Sequence, residues 1–403
     1  MWIGAAQRTL VGDRSRIEAD VVFEDVDRPP VRVFFEADGV LAPVLEAHPE
    51  AFAMSALPAA VWQGERRLRI DGALDRTLAA GLEQAMTLFQ SWFEHCRPLK
   101  LEPTQGLATR TPATEPYAVA LCSGGVDALV MLQEDLATYP RTHPRAIRTI
   151  VLFFGASSFD FVDGKPSPAH ERAHERTLRR LATLADRLGF SLAQVRTNAA
   201  SLHTDALPYI DMGHSAVLLA PLVASGRRVT DAHLASSGAG ARHPPHGSHP
   251  LLDELYSTSA VRVHLDQPLV SRHEKLGRLA GWAPAQDVVS PCHDPLDLPQ
   301  GQVNCGVCEK CVRTMTGLLA WGALSRFSAF PADDVTPEMI LSVEMKSRID
   351  FLEATDLLEH LEAVGRRDLA EAVRENVRRQ TESRWRKRRR KWRRSVRKRL
   401  GLA

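Results

Sequence analysis

Four cysteines lie within 20 residues of one another, and their spacing suits a metal ion. They are Cys292, Cys305, Cys308 and Cys311. Four thiolates are the number that a closed tetrahedral Zn²⁺ site needs, and short Cys-x2-Cys intervals let neighbouring sulfur atoms reach one ion. A closed site predicts a structural zinc ion, while an iron–sulfur cluster, which takes the same ligands, stays open as an alternative. Clustered thiols of this kind also indicate a reducing compartment.

A glycine-rich segment in the first half of the chain could bind an anion. The apolar stretch Tyr117–Leu121 predicts a buried strand, and a helical pattern begins directly after the glycines. A strand, a glycine turn and a helix form an anion cradle, because glycine lets the backbone approach a phosphate and the first helical amides point at it. Asp127 is suited to hold Mg²⁺ on that phosphate. The predicted phosphate-binding residues are Ser123, Gly124, Gly125, Val126 and Asp127.

This segment resembles the Ser-Gly-Gly-x-Asp-Ser signature of the PP-loop ATP pyrophosphatases, with Ala128 in place of the last serine. The resemblance implies an adenine nucleotide α-hydrolase-like domain that splits ATP between its α and β phosphates and adenylates a substrate oxygen. The segment is not a Walker motif, because no Gly-Lys-Ser/Thr follows. Ala128 removes one hydroxyl donor and keeps the backbone N–H.

The phosphate loop and the cysteine cluster together resemble the 7-cyano-7-deazaguanine synthase family over residues 117–322. The segments that hold the cysteines carry this resemblance, as does Gln267–Val270 followed by Lys275. The family, which belongs to queuosine biosynthesis, adenylates the carboxylate of 7-carboxy-7-deazaguanine, forms an amide with ammonia and dehydrates it. The resemblance therefore implies a carbon–nitrogen ligase that uses ATP, Mg²⁺ and Zn²⁺, with Asp127 and Lys275 as catalytic residues.

Two loops depart from that family. Residues 211–215 read Asp-Met-Gly-His-Ser where the family has Pro-Gly-Arg-Asn, and residues 236–250 are rich in histidine and proline. We interpret the second segment as a substrate loop with His246 and His249 as general acid/base candidates. These departures favour a redirected substrate, which would be a small molecule or a modified base.

The first part of the chain predicts a separate unit. Residues 1–100 are interpreted as an α+β domain, and residues 101–116 have the proline and threonine content of a linker. Apolar residues recurring every three or four positions from Leu74 to Phe93 predict a helix. The strands are expected to be antiparallel and to span Ile17–Phe23, Val31–Phe35 and Arg66–Ile70.

Residues 117–330 predict an α/β catalytic domain that carries the zinc segment 292–311. Apolar strands alternate there with helical patterns, which is typical of a parallel sheet covered by helices. The predicted strands are Tyr117–Leu121, Thr149–Phe154, Ser191–Thr197 and Val229–Leu234, and the predicted helices are Ala169–Leu188 and Gly213–Ser225. Further helices are expected over residues 331–383, starting at the Thr336-Pro337 pair.

A basic tail, residues 384–403, ends the chain. Between Arg384 and Arg399 the sequence has 12 of the 51 Lys and Arg residues and no acid, so the rest of the chain carries a net charge of −10. Trp385 and Trp392 are seven residues apart and share one face of a helix. Such a helix could bind nucleic acid or an anionic membrane surface. Docking on the acidic part of a second copy, as a homodimer, and a solvated tail are the other interpretations.

The composition sets the remaining limits. With 403 residues, 44% hydrophobic and 25% charged, the chain is typical of a soluble globular protein of several structural units. Its longest apolar run, Ala216–Ala224, has 9 residues and includes Pro221, which is too short to cross a membrane. The N-terminus lacks a signal-peptide pattern, so we expect a cytoplasmic protein.

Three functions remain on sequence alone. The first is an adenylating ligase that activates a carboxylate or amide for attack by ammonia or another amine. The second is a PP-loop sulfurtransferase or amidine-forming ligase that modifies tRNA. The third is a non-catalytic nucleotide- or nucleic-acid-binding module.

Overall fold

A computed structural model divides the chain into two compact units, Met1–Val270 and Ser271–Ala403. The structure describes residues 1–155, 160–162, 165–237, 243–292, 296, 298–345 and 348–399, without the side chains of Leu207, Arg348 and residues 384–399. The fold is mixed α/β with a mostly parallel central sheet. The expected α/β class is confirmed at this level.

The first unit contains one large sheet and two small strand pairs. Its strands are β1 (Trp2–Ile3), β2 (Gln7–Val11), β3 (Arg14–Val22), β4 (Val31–Ala37), β5 (Arg67–Ile70), β6 (Leu74–Asp75), β7 (Lys100–Pro103), β8 (Leu107–Ala108), β9 (Ala118–Leu121), β10 (Ile147–Phe154), β11 (Phe161–Val162), β12 (Lys165–Pro166), β13 (Ser191–Thr197), β14 (Asp231–Ala235) and β15 (Arg262–Asp266). The order across the large sheet is β15-β14-β9-β10-β13-β4-β3-β1-β5-β7, with β2 paired to β3. Strands β6 and β8 form a separate pair, as do β11 and β12.

Five neighbouring strands of this sheet form its parallel half. In the order β13-β10-β9-β14-β15 each strand is parallel to the next. The chain therefore moves from β9 outward through β10 to β13, and then returns to the other side of β9 for β14. This is the doubly wound arrangement in which the strand order reverses beside the first strand. The predicted strands Thr149–Phe154 and Ser191–Thr197 are confirmed, since they lie in β10 and β13.

Helices cover the sheet of the first unit. They are α1 (Pro49–Gln63), α2 (Arg76–Trp92), α3 (Val126–Thr138), α4 (Pro168–Leu188), α5 (Ala206–Pro208) and α6 (His214–Val223). Helix α4 ends where the sequence predicts, because Gly189 takes the left-handed conformation, with φ of 72°, that closes a helix. Helix α2 begins at Arg76, two residues after the predicted Leu74, because the Asp75 carboxylate accepts the N–H groups of Thr77 and Leu78 and caps the helix.

The division predicted at residues 101–116 differs from the division of the structure into units. Strand β4 pairs antiparallel with β13, so the strands of the first hundred residues and those of the α/β region share one sheet. The proposed linker includes most of β7 and all of β8, and Arg110 donates from Nε to Glu50 at 2.8 Å. The zinc segment lies in the second unit.

One strand orientation was predicted wrongly. The antiparallel prediction is confirmed for β3 and β4. Strand β5 is instead parallel to both of its neighbours, β1 and β7. The physical reason is that the chain reaches β5 from the sheet through helix α1, and a helical crossover returns the chain in the same direction.

The second unit is helical. Its helices are α7 (Arg272–Ala280), α8 (Glu309–Ala320), α9 (Pro337–Ser342), α10 (Arg348–Asp356), α11 (Leu358–Ala363) and α12 (Arg367–Arg399). Helix α9 begins as predicted, with Pro337 in its first turn and the Thr336 hydroxyl accepting the Met339 N–H at 3.4 Å. Among the described residues of the whole chain, no helix combines the length and apolar character needed to cross a bilayer.

Candidate functional site

The predicted phosphate loop lies at the point where the strand order reverses. Strand β9 ends at Leu121, and helix α3 begins at Val126 after four intervening residues. Because β14 lies on one side of β9 and β10 on the other, the loop lies at the carboxyl edge of the parallel strands, where the strand order reverses. Ligands bind preferentially at this position in doubly wound folds.

Gly124 has the backbone conformation that the turn requires. Its φ of 78° lies in the left-handed region, which is strained for residues with a Cβ. Gly125 precedes the helix in an extended conformation, and its N–H donates to the Ser123 hydroxyl at 3.3 Å. The Cys122 N–H is bound to the Val151 carbonyl of β10, so the turn begins only at Ser123.

Asp127 occupies the first turn of α3, where a carboxylate is stabilised by the helix dipole. Its side chain is half-buried, whereas Ser123 is exposed and Ala128 is buried. An α-helix leaves the amides of its first turn without partners inside the helix, so these groups are suited to bind an anion. The five predicted loop residues thus lie at the N-terminus of α3.

The neighbouring loops at this edge are closely packed. Gly155 follows β10 with φ of 92°, and a Cβ there would lie 1.6 Å from the Thr197 carbonyl oxygen at the end of β13. Only glycine fits that position. The carboxyl ends of β10 and β13 are therefore held in close backbone contact at this edge of the sheet.

The loop after β14 is attached to the start of α6. The Gly247 N–H donates to the Ile210 carbonyl and the Ser215 N–H donates to the Gly247 carbonyl, each at 2.8 Å. A Cβ on Gly247 would lie 2.8 Å from the backbone nitrogen of His214. The predicted substrate loop is therefore hydrogen-bonded to the predicted 211–215 segment and to the residue before it. Residues 238–242 of that loop lie outside the described residues.

The two general acid/base candidates in this loop are engaged with backbone. His246 Nδ1 accepts the Ser248 N–H at 3.1 Å, and His249 Nδ1 accepts the Leu251 N–H at 3.0 Å. His249 is buried against Trp92, with ring centroids 4.8 Å apart, and burial lowers its pKa. These contacts indicate imidazoles that shape the loop, and a catalytic role for either stays a prediction.

A carboxyl group supports this loop from the interior. Asp253 is fully buried and accepts the Ser248 hydroxyl at 2.8 Å. Burial raises the pKa of Asp253 to about 7. Burial therefore favours the neutral acid, which costs less to bury than the carboxylate.

A crossed pair of histidines and aspartates joins β14 to β15, and the sequence interpretation missed it. His233 Nδ1 lies 2.9 Å from an Asp266 oxygen, and His264 Nε2 lies 2.7 Å from an Asp231 oxygen. The two imidazoles stack with centroids 4.7 Å apart. The signal was available as Asp-x-His in one strand and His-x-Asp in the next, since residues two apart share a strand face.

The four cysteines of the second unit come together as predicted. Their sulfur atoms all lie within 4.8 Å of one another. The Cys305 and Cys311 sulfurs are 3.7 Å apart, and the Cys308 and Cys292 sulfurs are 3.9 Å apart. Tetrahedral zinc with Zn–S bonds of about 2.3 Å requires sulfur separations of about 3.8 Å. The cluster is therefore compatible with zinc binding.

The surroundings of the cluster also suit a metal site. The Cys308 N–H donates to the Cys305 sulfur at 3.2 Å, and a backbone donor at this distance stabilises the thiolate that a metal ligand must be. Gly306 between the first two close ligands has φ of 73°.

Two polar residues fix the segment that holds the cysteines. The fully buried Asn304 side chain donates to the carbonyls of Val289 and Ala329 at 2.8 and 2.9 Å. Arg313 of α8 forms ion pairs with Asp350 and Glu353 of α10 at 3.3 and 2.6 Å. These contacts help to position the segments that carry the cysteines, which lowers the entropic cost of binding an ion.

Lys275, the predicted catalytic cation, lies on α7 in the second unit and its side chain is fully buried. Burying an ammonium group is costly unless the group is paired, so we expect this side chain to have a polar partner inside the protein. Contact with a phosphate stays a prediction.

Comparisons with protein-family models, with curated proteins and with solved structures found no match to this chain.

Proposed function

We propose that this chain is an ATP-dependent carbon–nitrogen ligase. In this reaction an oxygen of a substrate carboxylate or amide attacks the α-phosphorus of ATP and pyrophosphate leaves. Ammonia or another amine then attacks the activated carbon, and AMP leaves with the transferred oxygen. The observation that carries the proposal is the position of the Gly124-Gly125 turn at the reversal point of a doubly wound sheet.

Each loop residue has a physical role in this proposal. The Ser123 hydroxyl and the first amides of α3 would bind the phosphates of ATP, whose negative charge the helix dipole stabilises. Asp127 would hold Mg²⁺, an ion that neutralises charge developing on the phosphates. Ala128 contributes only its backbone N–H, which is the group that an anion cradle uses.

Two other functions follow from particular observations. The basic residues of α12 favour a PP-loop sulfurtransferase or amidine-forming ligase that modifies tRNA, because RNA would supply both substrate and counter-charge. The alanine at position 128 favours a module that binds nucleotide without cleaving it. In all three functions the loop at residues 123–127 binds nucleotide.

The experiment that separates them is product analysis. Full-length protein is incubated with ATP, Mg²⁺, ammonium and a panel of heterocyclic carboxylic acids, and separately with tRNA, and nucleotides are resolved by chromatography. AMP and pyrophosphate that depend on an acid support the ligase, and AMP that depends on tRNA supports the second function. ADP and phosphate would overturn the PP-loop interpretation.

Asp127→Ala supplies the loop variant for this assay. We expect it to abolish AMP formation. The unfolding temperature should not change, because a half-buried carboxylate in the first turn of a helix contributes little to packing. Asp13→Ala is the matched control, since Asp13 is exposed in the turn between β2 and β3. AMP formation that survives in Asp127→Ala would contradict the assigned role.

A further inference from the structure

Helix α12 has two parts with different surroundings. The first part packs on the rest of the second unit through the buried residues Leu369, Ala370 and Val373. Asn376 donates to the Ile340 carbonyl at 2.6 Å, and Gln380 donates to the Val343 carbonyl at 2.8 Å. Residues 367–383 therefore anchor the helix, and we name them the anchored part.

Three arginines of the anchored part are paired with acids. Arg378 forms ion pairs with Glu375 and Glu382, each at 2.9 Å. Arg379 is also paired with Glu375, and Arg374 with Glu362. Local charge is thus nearly balanced along this stretch of the helix.

Residues 384–399, which we name the basic part, continue the same helix to Arg399. They contain nine arginines and three lysines and no acid. From Lys387 onward no acid lies within four residues, the distance over which helical ion pairs form. The rest of the chain has 39 Lys and Arg against 49 Asp and Glu, so its net charge is opposite in sign.

The pattern around the helix axis argues against a membrane surface. At about 100° per residue, Trp385, Trp392 and Val396 fall within about 40° of one another, and the cations occupy the other directions. A helix that lies in a bilayer interface needs a broad apolar face opposite its charges. A helix with cations on nearly all sides suits a partner that surrounds it with negative charge.

The dimensions favour a nucleic acid duplex. The 16 residues of the basic part span about 24 Å. A DNA duplex presents one charge per about 1.7 Å, or about 14 phosphates over that length, close to the 12 cations. Arginine, the majority residue, binds phosphate through two parallel donors, and the major groove of B-form DNA admits one α-helix between two rows of phosphates.

We propose that the basic part of α12 binds the phosphate backbone of double-stranded nucleic acid. This role is independent of ATP chemistry at the phosphate loop. The anchored part holds the helix on the protein, and the basic part supplies the electrostatic contact. Since the contact is with phosphates, recognition is expected to be largely insensitive to base sequence.

The test uses full-length protein and fluorescence anisotropy. The probes are a labelled DNA duplex of about 24 base pairs, an RNA duplex of the same sequence, and vesicles of phosphatidylcholine with phosphatidylserine. The variant Arg388→Gln, Arg389→Gln, Arg390→Gln should lose about tenfold or more in duplex affinity near physiological salt. Its slope of log affinity against log salt should fall by about 2.7, which is three contacts at about 0.9 each.

The matched control is Arg374→Gln, Arg378→Gln, Arg379→Gln, which removes the same charge from the anchored part of the same helix. It should change duplex affinity less than twofold, because those cations are already paired. Tighter binding to DNA or to RNA identifies which duplex is preferred, and either supports the proposal. Equal loss in both triple variants, no duplex binding by the unaltered protein, or binding to vesicles alone would overturn it.

Discussion

The predicted phosphate loop and the cysteine cluster are built in opposite ways. The cluster consists of four side chains from one segment of 20 residues. The loop consists mainly of backbone, with one left-handed glycine and the start of one helix. Its position depends on β9, β10 and β14, which are spread over more than a hundred residues of sequence.

The two sites therefore depend on different properties of their residues. Residue identity determines the cluster, because thiolates are required and few other side chains replace them. Conformation determines the loop, because any residue offers an N–H but only a suitable turn directs several of them at one anion. Substitutions that change identity should therefore damage the cluster, and substitutions that change conformation should damage the loop.

The largest effect is expected from Cys305→Ser combined with Cys308→Ser. Zinc content should fall from about one ion per chain to none, and the helical second unit should lose cooperative folding. Structural zinc supplies about 10 to 16 kcal/mol of apparent binding free energy in small domains, so its loss is not compensated locally. Elemental analysis and limited proteolysis of full-length protein measure the two results.

Val307→Ala is the control for this change. Val307 lies between the same two cysteines and is 70% exposed, so zinc and protease resistance should both be unaltered. Iron with visible absorption in anaerobically purified protein would contradict the zinc assignment. A double variant with normal protease resistance would contradict a structural role for the ion.

A conformational change should have the second largest effect. Gly124→Ala should weaken ATP binding about 10-fold, because the turn must reorganise to relieve a left-handed alanine that costs about 1 to 2 kcal/mol. Isothermal titration with a non-hydrolysable ATP analogue measures the affinity. Zinc content should not change.

Gly106→Ala matches this variant in backbone strain. Gly106 has φ of 72° in the turn between β7 and β8, and a Cβ there would meet nothing within 4 Å. It should lower stability by a similar amount without altering the ATP affinity. An equal loss of ATP affinity in both variants would show a general effect of destabilisation and would remove the loop from the binding site.

The smallest effect concerns a histidine behind the carboxyl edge. His203 is buried, and within the described residues neither ring nitrogen has a hydrogen-bond partner. Burial, assisted by the charge of Arg28, lowers the pKa of His203 to about 3 from an unfolded value of 6.5. Below pH 6.5 the unfolded state therefore binds more protons than the folded state, and stability falls as the pH decreases.

His203→Leu should remove this part of the pH dependence. Wild-type protein should lose about 1 kcal/mol between pH 7.5 and pH 5.5 relative to the variant, as measured by denaturant unfolding at each pH. Parallel pH profiles for the two proteins would contradict a neutral, buried His203.

Much of the local structure could be predicted from the sequence. The spacing of the cysteines predicted their assembly, and Gly189 predicted the end of α4. Both signals are short-range, because the ligands or the cap lie within a few turns of chain. The helix after the glycine turn was predictable for the same reason.

Long-range relations were harder to predict. Helix α1 was missed because residues Pro49–Val61 are buried on every side, which removes the periodic polar face that identifies a helix. The pairing of β4 with β13, which joins the strands of the first hundred residues to the parallel strands, was missed. The residues of a strand do not show which other strand it pairs with. The histidine pair between β14 and β15 depended on the same unseen register.

The origin of the oxygen in AMP tests the central claim most directly. The acid that gives most AMP is labelled with ¹⁸O in its carboxylate and incubated with ATP, Mg²⁺, ammonium and the full-length protein, and the nucleotide is analysed by mass spectrometry. Adenylation predicts that one ¹⁸O atom is transferred to AMP, because the carboxylate oxygen attacks the α-phosphorus and leaves with it when the amine adds. Unlabelled AMP would indicate hydrolysis by water, and ¹⁸O in inorganic phosphate would indicate phosphoryl transfer. Either result would contradict an adenylating ligase.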